Sequence, residues 1–342
     1  MSVVNGFDAP RSMLVMRRSY SYYLLAHSMK LRCLSRLITL FLLATLSLEA
    51  SADDFLDRMM MQFSQSEIVF QRAESNAPFL PLASANYKRY NDTKLKFDNQ
   101  PDISIDQTTF AQSAILPILA TPKDIAFVGE WINSSNISSN KSGFESFDVT
   151  QAALPIGWLR QINQETQVAG FIAPLGYKAT LDNSDWDWQT LGGLFARHVY
   201  DNDIWWAFGA YFDVGGIEDT YLPYLGAFWQ IDEQWSVSAI MPWPAVLFAP
   251  TKDTFFRIGA SPTGSSWQID SGSSQINQEI SGWDFGVSAE QRVFKNLWLN
   301  LETGLGGLRA LRINGSHVSM PDFKVDASSY IKLGINFRPS IL

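Results

Sequence analysis

Few residues in this chain could perform covalent chemistry. The sequence holds three histidines and one cysteine. His317-Val318-Ser319 sets an imidazole two residues from a hydroxyl, the pairing that activates a serine nucleophile. The run continues Met320-Pro321, with no visible calcium ligands, and it falls in a polar connection, which favours a solvated loop over a catalytic pair. His198 stands beside Arg197, just before an Asp201-Asn202 turn, and is expected at a rim. No Cys/His metal spacing, phosphate-binding loop or G-x-G-x-x-G is present. The reading is therefore a non-enzyme with no catalytic residue, metal or cofactor.

A second set of polar residues carries a different chemistry. Asp284, Glu290 and Arg292 share one parity of an alternating run, Asn300 and Glu302 share one parity of the next, and Lys332 belongs to the last such run. Strands that neighbour one another would bring these side chains to one face. There they would either neutralise each other as an ion-pair network or line a pore for small solutes. The network is the simpler reading, because nothing in the sequence marks a wide channel or a long plug loop.

The elements that position them are strands. In residues 297–305, LWLNLETGL, Leu297, Leu299, Leu301 and Leu305 lie on one parity, and Trp298, Asn300, Glu302 and Gly304 on the other. A period of two gives one apolar and one polar face. Trp283, Phe285, Val287 and Ala289 repeat the pattern, as do Ile331, Leu333, Ile335 and Phe337. The polar parity is rich in Gly, Ser, Asn and isolated charges, unlike the Lys/Glu-rich surface of a soluble sandwich. This suits a crowded lumen, with the leucines facing lipid and Trp298 packing inside near the periplasmic rim. Trp131, Trp158, Trp205, Trp206, Trp235, Trp283 and Trp298 fall toward strand ends and predict an interfacial girdle.

Short polar turns punctuate the chain at Lys123-Asp124, Asn163-Gln164, Asp201-Asn202, Asp232-Glu233, Thr263-Gly264 and Lys295-Asn296, spaced 31–40 residues apart. Two strands of about 10 residues with one tight and one long connection give that spacing. Longer Gly/Ser/Asn-rich connections alternate with the tight ones. The fold class is thus all-β, an antiparallel transmembrane β-barrel of 12–14 strands. Strands are expected near 107–118, 125–133, 147–159, 166–177, 188–199, 204–213, 221–230, 235–247, 254–261, 266–270, 282–293, 297–308 and 327–337. An early strand near 85–97 would bring the number to 14, and loss of 266–270 to 12. Pro242-Trp243-Pro244 should bend or end the strand that contains it.

Composition agrees. Charged residues make up 18% of the chain and aromatics 13%, with 22 glycines. Mean hydropathy is −0.04, and no apolar run reaches the roughly 20 residues of a spanning helix. Lys30, Arg32 and Arg36, then the apolar Leu37 to Leu48, then Ala50-Ser51-Ala52 read as a signal peptide cleaved after Ala52. Met29 would head a leader of ordinary length. The expected domains are the leader at 1–52, a periplasmic irregular segment at 53–102 with a short amphipathic helix from Phe55 to Phe63, and the barrel at 103–342. Removal of 1–52 leaves 20 basic and 32 acidic residues, net −12, which argues against nucleic acid as a partner. Cys33 leaves with the leader, so the mature chain has no disulfide or thiol chemistry.

Over roughly residues 103–337 the chain resembles bacterial outer-membrane β-barrel proteins, in particular uncharacterised medium-sized barrels known as domains of unknown function. Lys332-x-Gly334-x-x-Phe337 resembles the C-terminal signal read by the barrel-insertion machinery, although the chain continues with Arg338-Pro339-Ser340-Ile341-Leu342. The resemblance implies the outer membrane of a Gram-negative bacterium. Its implied partners are outer-membrane lipid, lipopolysaccharide and the insertion machinery, and its implied role is a pore or a structural barrel. His317-Val318-Ser319 is similar to the His-x-Ser pair of outer-membrane phospholipases but lacks their following Asn-Gly. An outer-membrane lipid hydrolase and a secreted β-sandwich binding module remain the alternatives.

Overall fold

The computed structural model describes residues 67–69, 74–97, 100–139, 146–182, 184–216, 219–270, 275–315 and 323–339. The expected leader, the amphipathic helix at 55–63 and His317-Ser319 lie outside them. Sixteen strands follow in order: β1 (Ala83–Phe97), β2 (Gln100–Ala120), β3 (Asp124–Ser138), β4 (Phe147–Ala153), β5 (Ile156–Gln161), β6 (Thr166–Ala179), β7 (Asp187–Val199) and β8 (Ile204–Val214), then β9 (Thr220–Gln230), β10 (Trp235–Ser238), β11 (Ala245–Thr251), β12 (Thr254–Asp270), β13 (Gln275–Phe294), β14 (Leu297–Gly315), β15 (Phe323–Val325) and β16 (Ser328–Phe337).

All pairings are antiparallel, and the sheet closes on itself. β13 pairs with β14, β14 with β16, and β16 with β1. β4 and β5 both lie between β3 and β6, as one stave broken at Leu154-Pro155. β15 and β16 likewise share the place between β14 and β1. The wall therefore has 14 staves. Both ends of the barrel sequence meet at one rim, where Leu82 N–H donates to Phe337 O at 2.9 Å. Closure removes the unpaired edges that an open sheet would present. No helix among the described residues is long and apolar enough to cross a membrane.

The polarity is inverted relative to a soluble protein. Leu297, Leu299, Leu301 and Leu305 are 36–56% exposed, whereas Trp298 and Glu302 are 3% and 8% exposed. Ile331, Leu333, Ile335, Phe285 and Val287 also point outward, and Asp284, Ser288 and Glu290 inward. Trp158, Trp206, Trp229 and Trp235 lie exposed on the outer face. Four of the expected girdle tryptophans lie elsewhere. Trp131 is on the inner face of β3, opposite Ser113 and Ala153, and donates from Nε1 to Asn133 Oδ1 at 3.0 Å. Trp298 is buried inside. Trp205 is half-buried, stacked on Phe228 with 5.2 Å between ring centres. Trp283 is mid-strand, because β13 begins at Gln275.

Turns at the rim that holds the chain ends are short and chemically alike. Asn163 Oδ1 accepts from the N–H groups of Glu165 and Thr166 at 2.9 and 2.8 Å. Asp201 does the same for Asp203 and Ile204, and Asp232 for Gln234 and Trp235. A short side chain that satisfies two backbone donors reverses the chain without help from packing.

Several expected boundaries shift. The barrel starts at Ala83 rather than near residue 103, and β1 supplies the fourteenth stave. Thr263-Gly264 is not a turn but the interior of β12, paired continuously with β13, so the strands expected at 254–261 and 266–270 are one. The turn is Lys252-Asp253, between β11 and β12. The stretch at 235–247 is not one strand. β10 runs up beside β9, the chain reverses around Pro242-Trp243-Pro244, and β11 returns. This hairpin is short. Met241 bridges Leu225 at its top, and β11 pairs with β12 only as far as Ala245–Gly259. Beyond that height, Thr220 to Tyr224 of β9 and Ser261 to Asp270 of β12 each have one strand neighbour among the described residues.

Candidate functional site

The inner wall of β1, β13, β14 and β16 carries a polar seam. Tyr90 Oη donates to Asp284 at 2.8 Å, and Lys88 Nζ pairs with the same carboxylate. Lys88 lies over the rings of Tyr90 and Tyr330, 4.7 and 4.1 Å from their centres, and the Arg309 guanidinium lies over Tyr90 at 3.8 Å. Glu302 accepts from Tyr330 Oη at 2.6 Å and pairs with Lys332 at 2.5 Å. At the rim, Glu290 receives both arms of Arg338, at 3.0 and 2.9 Å, and Asn336 Nδ2 at 2.9 Å. Each carboxylate thus has a cation, and each pair joins two different staves across the closure of the barrel. Charges removed from water persist when paired and hydrogen-bonded.

Of the residues singled out from sequence, Asp284, Glu290, Asn300 and Glu302 are buried on the inner wall, and Lys332 is half-buried there. Arg292 differs. It reaches the β11–β12 turn and pairs with Asp253, with side chains 37% and 52% exposed, so it belongs to the rim. Lys332, Gly334 and Phe337 all lie on β16. Arg338, just after Phe337, turns inward to Glu290 and donates from Nη1 to Phe79 O at 2.6 Å. His198 faces outward near the same rim, with Nδ1 3.1 Å from Thr166 Oγ1. Among the described residues, no group of His, Cys, Asp or Glu could hold a metal ion.

The same rim is crossed by the chain before β1, a feature the sequence reading missed. Val69 N–H donates to Gln161 Oε1 at 3.2 Å, while Gln167 Nε2 and Arg197 Nη1 donate to Val69 O at 2.9 and 3.2 Å. Glu67 N–H donates to Pro122 O, and Asn76 N–H to Glu233 O, both at 2.7 Å. Gln230 Nε2 donates to Glu74 O. Ala77 packs against Ala249, Phe255 and Trp298. Residues 67–69 and 74–79 therefore lie across the mouth as a strap, from the β2–β3 turn to the end of β16, and Gln161, Gln167 and Gln230 hold them. The legible signal was a glutamine two residues before an Asx turn, in Gln161-Ile162-Asn163 and Gln230-Ile231-Asp232.

The opposite end is filled by apolar side chains. Leu95, Ile105, Ile137, Val149, Ala179, Trp267, Ile280 and Val325 form one buried cluster. Trp267 meets Phe147 with ring centres 5.4 Å apart, and β12 leans across the lumen to within 8 Å of β4 and β6, Cα to Cα. Between the two lies a second buried apolar cluster, Ala153, Ala173, Leu175, Tyr177 and Leu191, with Phe171 and Tyr211 packed against it. At its edge Gln189 Nε2 donates to Tyr177 Oη at 2.5 Å and to Asp213 Oδ2 at 3.1 Å. An apolar groove of ≈ 660 Å³ lined by Tyr87, Phe110, Phe256, Leu299 and Leu333 lies on the outer wall instead and faces lipid.

A closed antiparallel ring with an apolar exterior and a polar, ion-paired inner seam defines a transmembrane β-barrel of the Gram-negative outer-membrane class. No protein-family model and no curated protein matches the chain. Among solved structures it is similar to the Pseudomonas putida toluene transporter TodX, at 10% identity over 74% of this chain and 88% of that one, with a TM-score of 0.37. A FadL homologue of Pseudomonas aeruginosa matches at 8% identity over 75% and 90%, with a TM-score of 0.38. The translocator domain of the autotransporter NalP from Neisseria meningitidis matches at 10% over 84% and 96%, with a TM-score of 0.30.

Proposed function

We propose that this barrel is a closed conduit of the outer membrane, one that must be opened before it passes a small solute. The observation that carries this reading is the strap. A purely structural barrel needs no chain across its mouth, and an open porin would be blocked by one. Residues 67–69 and 74–79 are held there by hydrogen bonds with side chains of β5, β6, β7 and β9 and with Arg338, just after β16. The mutual pairing of Asp284, Glu302 and Glu290 with Lys88, Lys332 and Arg338 argues against these carboxylates acting as a charged selectivity filter.

Planar-bilayer conductance of the native barrel and of Gln161→Ala/Gln167→Ala/Gln230→Ala combined with Trp267→Ala tests the proposal, with folding checked by the heat-dependent shift in gel mobility. The expected outcome is a silent native barrel and discrete openings when the strap is loosened and the opposite cluster thinned. A folded quadruple variant that stays silent would remove the conduit reading in favour of a structural barrel.

A further inference from the structure

The groove on the outer wall has a direction and a charged foot. It lies between two rows of outward side chains that follow the hydrogen-bonding direction across β12, β13, β14, β16, β1 and β2. One row runs Phe256, Ala289, Leu301, Leu333, Tyr87, Phe110, each the register partner of the next. The other runs Thr254, Gln291, Leu299, Ile335, Ala85 in the same way. Glu290 and Asn300, between the rows, turn inward, so backbone forms the floor of a space of ≈ 660 Å³.

Six strands at the usual spacing give the groove a length of about 24 Å. It is inclined. At one end, Thr254 is the first residue after the Lys252-Asp253 turn, at the rim that holds the chain ends. At the other, Phe110 lies ten residues before β2 reaches that rim at Ala120. Strands tilted by about 35–45° make a row of this length rise by about 15 Å, a little over half of the apolar band of about 25 Å that such barrels present. The groove therefore crosses one leaflet, on the side of the short turns, which is the periplasmic side.

Charge marks its foot. The two turns there carry Lys252, Arg292 and Lys295 against one carboxylate, Asp253, and Arg292 takes it. Lys252 and Lys295 are exposed and have no ion-pair partner among the described residues. The β7–β8 and β9–β10 turns of the same rim carry Asp201, Asp203, Asp232 and Glu233 and no basic residue. Free cations thus gather where the groove begins, in a chain that is acidic overall. Between them and the apolar length, Thr254 Oγ1 donates to Gln291 Oε1 at 2.9 Å and makes a polar lip suited to ester groups. A second barrel would meet this convex wall along a strand and leave a groove that runs across six strands unfilled. A lipid tail fits it.

We infer that this sector binds an anionic phospholipid of the periplasmic leaflet, with one acyl chain along the groove and the head-group phosphate at Lys252 and Lys295. The lipid would lie across β1 and β16, where the barrel sequence closes on itself.

Cys33 is the only cysteine, so a Cys33→Ser chain accepts single labels. Bimane is placed at Ala289→Cys in the groove and at Leu225→Cys on the lipid face of β9. The folded proteins are reconstituted in phosphatidylcholine vesicles. A small share of the lipid is brominated on its acyl chains and is either phosphatidylglycerol or phosphatidylcholine. Brominated phosphatidylglycerol should quench Ala289→Cys several-fold more than brominated phosphatidylcholine does, with no preference at Leu225→Cys. Lys252→Gln/Lys295→Gln, folded by the gel-mobility criterion, should abolish the preference. Equal quenching by the two lipids at Ala289→Cys overturns the site, as does an equal preference at Leu225→Cys. A label at Ala289→Cys shielded from both lipids also overturns it, because protein would then cover the groove. A preference that survives the double lysine substitution overturns the placement of the head group.

Discussion

Replacing Glu290 by Gln asks whether the ion pairs of the inner wall hold the closure of the barrel together. Glu290 and Arg338 have side chains 7% and 9% exposed and meet through two hydrogen bonds. The amide keeps the volume and one acceptor but leaves a guanidinium charge largely out of water with no counter-charge. Removing one member of a buried pair costs about 3–5 kcal/mol. Arg292 and Asp253 supply the control, because both are more than a third exposed. A pair of that kind contributes about 0–1 kcal/mol. Equilibrium unfolding in urea from lipid vesicles, read by gel mobility without boiling, measures both variants. Glu290→Gln should lower stability several times more than Asp253→Asn. Glu290→Leu/Arg338→Met should recover part of the loss, less the bond to Phe79 O. Equal, small losses for the two single variants would refute the reasoning, since the rim would then be wet enough to screen its charges.

Other outcomes follow from the same geometry. Leu301→Arg places a cation on the lipid face and should cost about 2–4 kcal/mol near the bilayer midplane in the same unfolding assay. Gly226→Val should abolish the heat-modifiable form, because a Cβ there would lie 2.1 Å from Ala239 O and 2.6 Å from Ile240 Cα, both backbone atoms that cannot swing aside. Asp232→Ala removes two hydrogen bonds, each 2.7 Å, from the β9–β10 turn, and each is worth about 0.5–1.5 kcal/mol to the urea midpoint. Phe337→Ala tests the proposed assembly signal on β16. Slower appearance of folded barrel in the outer membrane is expected, and an unchanged rate would dismiss the signal.

The turn at Lys252-Asp253 shows where sequence reading reaches its limit. Thr263-Gly264 looks like a turn and keeps an even spacing with its neighbours, yet β12 runs through it because β13 pairs with every residue from Thr254 to Asp270. Turn propensity is a local quantity, and a partner strand overrides it. The strand at 85–97 was visible only as an option, since its pattern is weak and its place depends on β16 and β2 standing on either side. Lys88, Tyr90, Arg309 and Tyr330 escaped notice for a related reason. They lie on three different strands, and only the register brings them around Asp284 and Glu302.

Period-two alternation, Asx turns and a scarcity of charge determined, from the sequence alone, an antiparallel barrel with Leu299 and Leu301 toward lipid and Asn300 and Glu302 toward the interior. These are short-range properties, written in residues that touch one another along the chain. The strap across one mouth, the apolar cluster in the other and the short hairpin below an interrupted wall were decided by tertiary structure. Each depends on residues tens to hundreds of positions apart meeting at one height in a closed ring, as Val69 meets Gln161, Trp267 meets Phe147 and Tyr224 meets Trp243.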